Sequence, residues 1–191
     1  MAHVSIIGTG NMGQAISGIV AKGGNTAELL GRSDGGKPIT GEIVVLAVPY
    51  PALADVLAAH GDQLAGKVVV DITNPLNFQT FDSLTVPADS SAAAEIATAL
   101  PQSRVVKAFN TNFAATLASG TAGQLPVTVL IAGDDAEAKA LLASVITAGG
   151  LRAIDTGALS RARELQALGF LQITLAAQQK MPWTGGFAVA S

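Results

Sequence analysis

The residues of this chain with the plainest chemical use are three glycines, spaced as Gly8-Thr9-Gly10-Asn11-Met12-Gly13. They follow the β-rich run HVSIIG (3–8). They open NMGQAISGIVAKGG (11–24), where Met12, Ile16, Ile19 and Val20 recur at helical spacing until Gly23 and Gly24. Strand, glycine loop and helix in that order make a phosphate cradle. Gly8 permits the tight turn, Gly10 lets backbone N–H groups approach a pyrophosphate, and Gly13 lets the helix pack on the strand. The helix N-terminus adds partial positive charge. Thr9 contributes a hydroxyl, and Asn11 and Met12 complete the loop. A merely glycine-rich turn is the bland alternative, but strand, spacing and helix all agree on a dinucleotide site.

The second strand, TAELLG (26–31), selects the dinucleotide. An NAD site ends this strand with Asp or Glu, about 20 residues past the glycines, to hold the ribose 2′-OH. Here the strand ends Leu30-Gly31-Arg32-Ser33, and Glu28 lies too early. The Arg32 guanidinium and the Ser33 hydroxyl suit a 2′-phosphate instead, so the expected cofactor is NADP(H). The alternative is that Arg32 is an ordinary solvated loop residue.

Three more groups fall at strand ends, where open α/β sheets bind ligands. Asn74 and Pro75 follow Val68-Val69-Val70-Asp71-Ile72-Thr73, and the Asn74 amide could hold a nicotinamide or ribose, although Asn-Pro also marks turns. Asn110, Thr111 and Asn112 are three neutral polar residues in a row, suited to orienting a ligand or to capping a loop. Tyr50 follows Ala47-Val48-Pro49 and could wall a pocket or simply pack. No catalytic side chain is assigned; Asn110, Thr111 and Asn112 are the acceptor-side candidates. Asp71 could be a general base but reads better as a strand-end residue bonded to backbone. Lys107 is structural or approaches an anion.

The elements that must position these residues alternate. Strands are expected at EIVVLAVP (42–49), KVVVDITNP (67–75), RVVKAFNT (104–111), PVTVLIAGD (126–134) and LRAIDTG (151–157), with helices at 50–66, 90–100, 136–148 and 160–180. That order predicts an α/β fold of Rossmann type, doubly wound on a mostly parallel sheet, in one domain over 1–191. Charged residues are only 13% and hydrophobic ones 49%. Such a balance wants a sheet covered on both faces, and a subunit interface as well. The last helix carries Leu165, Leu168, Phe170, Leu171, Ile173 and Leu175, apolar nearly all round, which predicts burial partly against a second subunit as a homodimer, with the tail 181–191 nearby. Net charge is −3, so nucleic acid and anionic membrane are not expected partners. The absence of cysteine and the presence of only two histidines argue against a metal site, and no membrane span or signal peptide is seen, so the expected location is cytoplasmic.

Taken together, GTGNMG (8–13), Gly31-Arg32-Ser33, VVLAVPY (44–50), VVDITNP (69–75), SAAAEIATALPQSRVVKAFNT (91–111), IAGDD (131–135) and DTGALSRARELQAL (155–168) resemble the coenzyme F420-dependent NADP oxidoreductase family, in particular its short dinucleotide-binding members. The resemblance covers nearly the whole chain. It implies a Rossmann fold and hydride transfer between NADP(H) and a small-molecule redox acceptor, a flavin, a deazaflavin of F420 type or a similar planar ring. It implies a nicotinamide along Ala47-Val48-Pro49 and near Asn74-Pro75, with the acceptor ring above it by Asn110-Thr111-Asn112. The chain departs from the pattern in two places. Relatives place a helix and a third strand between Arg32 and Glu42, whereas Ser33 to Gly41 has room only for a loop, so strand two should lie at the sheet edge. That loop, Gly35-Gly36-Lys37-Pro38 included, is expected to be mobile, with Lys37 able to reach the 2′-phosphate. Archaeal F420-reducing members carry a histidine where this chain has Asn110. Two other readings are a small imine or carbonyl reductase and a non-catalytic NADPH sensor. The first would want a Tyr, Lys or His proton donor and a larger helical dimerisation region.

Overall fold

The computed structural model describes residues 1–34 and 36–190. Parallel strands β1 (His3–Ile7), β2 (Thr26–Leu30), β3 (Ile43–Leu46), β4 (Val68–Asp71) and β5 (Arg104–Lys107) form one side of a seven-stranded sheet. A short hairpin, β6 (Thr121–Ala122) and β7 (Leu125–Pro126), precedes β8 (Thr128–Gly133) and β9 (Arg152–Asp155). The sheet order is β2-β1-β3-β4-β5-β8-β9; β8 runs antiparallel to β5 and the other pairs are parallel. The helices are α1 (Asn11–Lys22), α2 (Leu53–His60), α3 (Ala92–Ala99), α4 (Ala114–Ser119), α5 (Ala136–Ala148) and α6 (Ala162–Ala177).

Residues alternate between two cores because successive side chains of a strand point to opposite faces. Val4, Ile6, Ile43, Val45, Val68 and Val70 join α1, α4 and α5 on one face. Ile7, Val44, Leu46 and Val69 join α2, α3 and the start of α6 on the other. Strands buried on both faces explain the continuous Val/Ile runs and the scarcity of charge.

The chain leaves β1 to build β2 on one side, then returns to build β3 on the other, so the topological switch point lies between β1 and β3. Strand β2 is the sheet edge, as the short Arg32–Glu42 connection requires. That connection holds a single 3-10 turn, Arg32–Asp34, and no strand among its described residues. Gly35 of the expected mobile loop lies outside the described residues. The second half of the connection is fastened. Ile39 is buried and its N–H donates to Gln63 Oε1 at 2.9 Å; Gly41 N–H donates to Ser5 Oγ at 2.8 Å, and Lys67 Nζ to the Gly41 carbonyl at 2.8 Å. Ile39 and Gly41 are thus tethered to the body of the fold, within the stretch expected to be mobile.

Helix α6 differs from its expected pattern. Its buried stripe is Ala162, Leu165, Gln166, Gly169, Gln172 and Ala176, while Leu171 is 49% exposed and Leu168, Phe170, Ile173 and Leu175 are half-buried. Small and amide side chains face the sheet because the helix meets polar strand-end loops there, not an apolar surface.

Candidate active site

At the switch point the three glycines have three different reasons to be glycine. Gly8 has φ 127°, and a Cβ on it would strike the Ala47 carbonyl, so β1 and β3 meet there backbone to backbone. A Cβ on Gly13 would strike the Gly8 carbonyl. Gly10 is exposed, and a Cβ on it would meet nothing within 4 Å. Packing therefore explains Gly8 and Gly13 but not Gly10, which suits close approach of a ligand. The helix behind it agrees. Helices α3 and α5 are capped by the Ser91 and Asp135 side chains, which accept from Ala94 N–H at 3.1 Å and Ala138 N–H at 2.7 Å. Helix α1 starts from Gly10 with no side-chain cap and no acid in its first turn, leaving its first N–H groups for an anion. Thr9 and Asn11 are exposed beside Gly10 and Met12 is half-buried.

Beyond β2, Arg32 and Ser33 are exposed at the start of the 3-10 turn. The nearby acids are occupied. Glu28 accepts from Ser5 Oγ and from Thr40 Oγ1 at 3.1 Å, and these bonds hold its carboxyl below the ordinary glutamate range against the opposing effect of burial. Asp34 accepts from Gly31 N–H at 2.8 Å and pairs with Lys37 at 2.7 Å, and Lys37 is the main cause of its lowered pKa. Lys37 is thus an ion-pair partner in this structure, and neither carboxylate is open to a ribose hydroxyl.

At the end of β3, Ala47 and Val48 are half-buried and Pro49 is exposed. Tyr50 begins a 3-10 turn and donates its hydroxyl to Glu95 Oε2 at 2.7 Å. Partial burial first, then the Glu95 carboxylate, push the Tyr50 phenol up to about 12. It holds its proton and is a poor acid at neutral pH.

The ends of β4 and β5 form a buried polar junction. Asp71 and Lys107 are register neighbours, and Lys107 Nζ donates to Asp71 Oδ2 at 2.8 Å and to the Thr73 carbonyl at 2.5 Å, with both side chains wholly buried. Burial pushes the Lys107 ammonium down from its ordinary value, and the Asp71 carboxylate pulls it back. Asp71 Oδ1 accepts from Thr73 N–H at 2.8 Å, so both residues fix the Thr73-Asn74 turn and neither faces solvent as a base. With its amide oriented to suit its neighbours, Gln166 of α6 accepts from Lys107 Nζ at 3.3 Å and from Ala92 N–H at 3.0 Å. Asn74 and Asn110 are joined by two hydrogen bonds: Asn74 Nδ2 donates to the Asn110 backbone carbonyl at 2.9 Å, and Asn110 Nδ2 to Asn74 Oδ1 at 3.0 Å. Asn110 Nδ2 also donates to the Leu165 carbonyl of α6 at 2.8 Å. Phe109, at φ 62°, makes the sharp turn that swings Asn110 back across β4.

Sequence reasoning therefore gathered Asn74, Pro75 and Asn110–Asn112 at one end of the sheet, but as open groups. Pro75, Thr111 and Asn112 are buried, and Asn112 Nδ2 donates to the Thr128 carbonyl at 3.2 Å. Among these residues and their neighbours, Thr73 Oγ1, Asn110 Oδ1, Asn112 Oδ1 and Thr128 Oγ1 are buried with no hydrogen-bond partner among the described residues. The sequence reading missed Gln166 and Gly169. Their signal was an amide and a glycine inside an apolar helix, where neither is favoured.

Among the described residues no group of three or more His, Cys, Asp or Glu could hold a metal, and no helix is long and apolar enough to cross a membrane. Residues 37–75 match the family model described as NADP oxidoreductase, coenzyme F420-dependent. The F420-dependent NADP reductase of Methanocaldococcus jannaschii is 30% identical over 171 residues, covering 87% of this chain and 76% of that protein. The metalloreductase STEAP3 of Rattus norvegicus is 37% identical over 113 residues, which cover 59% of this chain and 22% of that protein. Among solved structures, a candidate F420-dependent NADP-reductase from Arthrobacter sp. FB24 shares the fold at a TM-score of 0.85 and 25% identity, with 100% of both chains covered. Glycine cradle, β2 edge and strand-end junction occur here in a chain that spans most of the archaeal reductase: it belongs to the coenzyme F420-dependent NADP oxidoreductase family.

Proposed function

We propose that this protein transfers hydride between NADP(H) and a planar acceptor, a flavin or a deazaflavin of F420 type. The observation that carries the cofactor assignment is the combination at the β1–β2 end. An unpacked Gly10 lies before an uncapped helix, Arg32 is exposed, and both nearby carboxylates are turned to other partners. The N–H groups at Gly10–Met12 would hold the pyrophosphate, with Thr9, Arg32 and Ser33 at the 2′-phosphate. Ala47, Val48, Pro49 and Tyr50 on one side, and Asn74 and Pro75 on the other, would line the nicotinamide. Asn110 Oδ1 and Thr73 Oγ1 are buried hydrogen-bonding atoms left for a ligand amide or hydroxyl at that end.

The cofactor held there would supply hydride chemistry, and the part of these residues would be contact, orientation and exclusion of water. The Tyr50 phenol, with its raised pKa and its bond to Glu95, favours this reading over a carbonyl reductase that needs a protein acid. The names of the archaeal and Arthrobacter relatives support F420 as acceptor, and STEAP3 is a metalloreductase. The test is NADPH oxidation at 340 nm against FMN, FAD, F420, quinones and small imines. Turnover with a flavin or F420 is expected; tight NADPH binding with no turnover, or turnover with imines alone, would overturn the proposal.

Assembly belongs to the same reading. The large apolar residues that α6 turns away from the sheet, Leu171 above all, suit pairing with a second copy. Sedimentation at micromolar concentration should show a dimer, and a monomer would refute it.

A further inference from the structure

We infer that Gly169 of α6 is a positioning residue for the nicotinamide end, one that sets the Asn74–Asn110 amide pair without touching a ligand. The inference rests on the proposed placement of the nicotinamide beside Asn74. Gly169 lies in the middle of a 16-residue helix, where glycine is among the least favoured residues. It is not at a turn and needs no unusual φ, since it is absent from the positive-φ residues. The reason for it is contact. A Cβ on Gly169 would collide with Asn74 Oδ1, and would come within 2.8 Å of the Asn110 carbonyl and 2.9 Å of Asn110 Nδ2. All three atoms belong to the amide pair. The missing methyl is therefore the space that this pair occupies.

Two neighbours of Gly169 on the same face meet the same junction, and a third holds the tail. One turn earlier, the Leu165 carbonyl accepts from Asn110 Nδ2, and Gln166 accepts from Lys107 Nζ, which in turn fixes the Thr73 carbonyl. One turn later, Gln172 is buried and its Oε1 accepts from Phe187 N–H of the tail at 3.3 Å. Helix α6 thus backs the strand-end loops with a polar, small-residue face and fixes the direction of Asn110 Oδ1. Swapping the Asn110 amide would not free that geometry, because an oxygen would then face Asn74 Oδ1 and the Leu165 carbonyl.

A methyl at Gly169 should turn the pair or lift the helix. The adenosine end, built on β1 and β2, should not feel it. The first measurement uses the protein without cofactor: the side-chain amide resonances of Asn74 and Asn110 in ¹⁵N-labelled protein. In Gly169→Ala they should shift and exchange at least about tenfold faster, while those of Asn25, at the far end of the sheet, stay put. Gly18→Ala is the control, because Gly18 is exposed on α1 with nothing within 4 Å of a Cβ. The second measurement is kinetic. Gly169→Ala should lower kcat about 10- to 100-fold, with the Kd for NADPH changed less than about threefold. Should Gly169→Ala fail to fold, adding Asn74→Ala, which removes the nearest of the three clashing atoms, should recover part of the lost stability. Unmoved amides in folded Gly169→Ala, an unchanged kcat, or a double variant no more stable than Gly169→Ala alone would each overturn the inference. A wild-type protein that turns over no acceptor would instead overturn the hydride-transfer reading, and the amide resonances would still decide the role of Gly169.

Discussion

The two ends of the proposed cofactor site are built on opposite principles. At the phosphate end the chain leaves things out. Gly10 carries no side chain and packs against nothing, α1 has no cap, and Arg32 stands in solvent. At the nicotinamide end the backing is packed and mostly paired, with a few oxygens left over. Asp71 and Lys107 are wholly buried and paired, Asn74 and Asn110 bond each other, and α6 seals the back. An anion can be met by backbone N–H groups and an exposed guanidinium, because charge attraction tolerates small errors of position. Hydride transfer tolerates few, because its rate depends on the contact geometry of two rings. Stiffness is therefore expected where the chemistry is and openness where the charge is.

Substitutions can break this contrast. The largest effect should come from Gly8→Val, since both the left-handed φ and the Ala47 carbonyl forbid a side chain. A loss of roughly 4 kcal/mol or more is expected in urea unfolding, against less than about 1 kcal/mol for Gly10→Ala, two residues away, which should weaken NADPH binding instead. Lys107→Met comes next. It strands a buried Asp71 carboxylate and should cost about 3–5 kcal/mol of stability in the same experiment. Arg32→Ala should leave stability unchanged and weaken NADPH by roughly 1.5–3 kcal/mol, with NADH nearly unaffected. Equal losses for the two cofactors in calorimetry would remove Arg32 from the 2′-phosphate.

The smallest effect sharpens the account of Tyr50. It is the chain's only tyrosine, so phenolate absorbance at 295 nm reads it alone. The midpoint should lie at about 12 in the folded protein. Because the folded pKa is raised, the neutral phenol contributes stability that is complete below the unfolded value of about 10 and is lost as pH rises toward the folded one. Glu95→Gln should move the midpoint down. A midpoint near 10 in the folded wild type would mean that the Glu95 contact does not hold the proton.

The contrast also explains what could be read in advance. The phosphate end is contiguous. Strand, glycines and helix follow one another within residues 3–22, and their types declare the turn and the anion site. The doubly wound sheet was legible for the same reason, since each Val/Ile run is complete in itself. The nicotinamide junction is assembled from afar. Asn110 meets Asn74 across 36 residues and the Leu165 carbonyl across 55. The partner in the second case is a backbone atom with no residue type to announce it. Helix α6 looked apolar all round because its leucines outnumber its buried glutamines, and only the packed structure shows that Gln166, Gly169 and Gln172 face inward. Helix α4 and the β6–β7 hairpin were missed because six and four residues are too short for a periodic signal.

The central claim, that the open end is a site for NADP(H), is tested most directly by calorimetric titration of the wild-type protein with NADPH and with NADH under one set of conditions. The account predicts one site per chain and at least about tenfold tighter binding of NADPH, a difference of about 1.4 kcal/mol. Equal affinities, or tighter NADH, would contradict it.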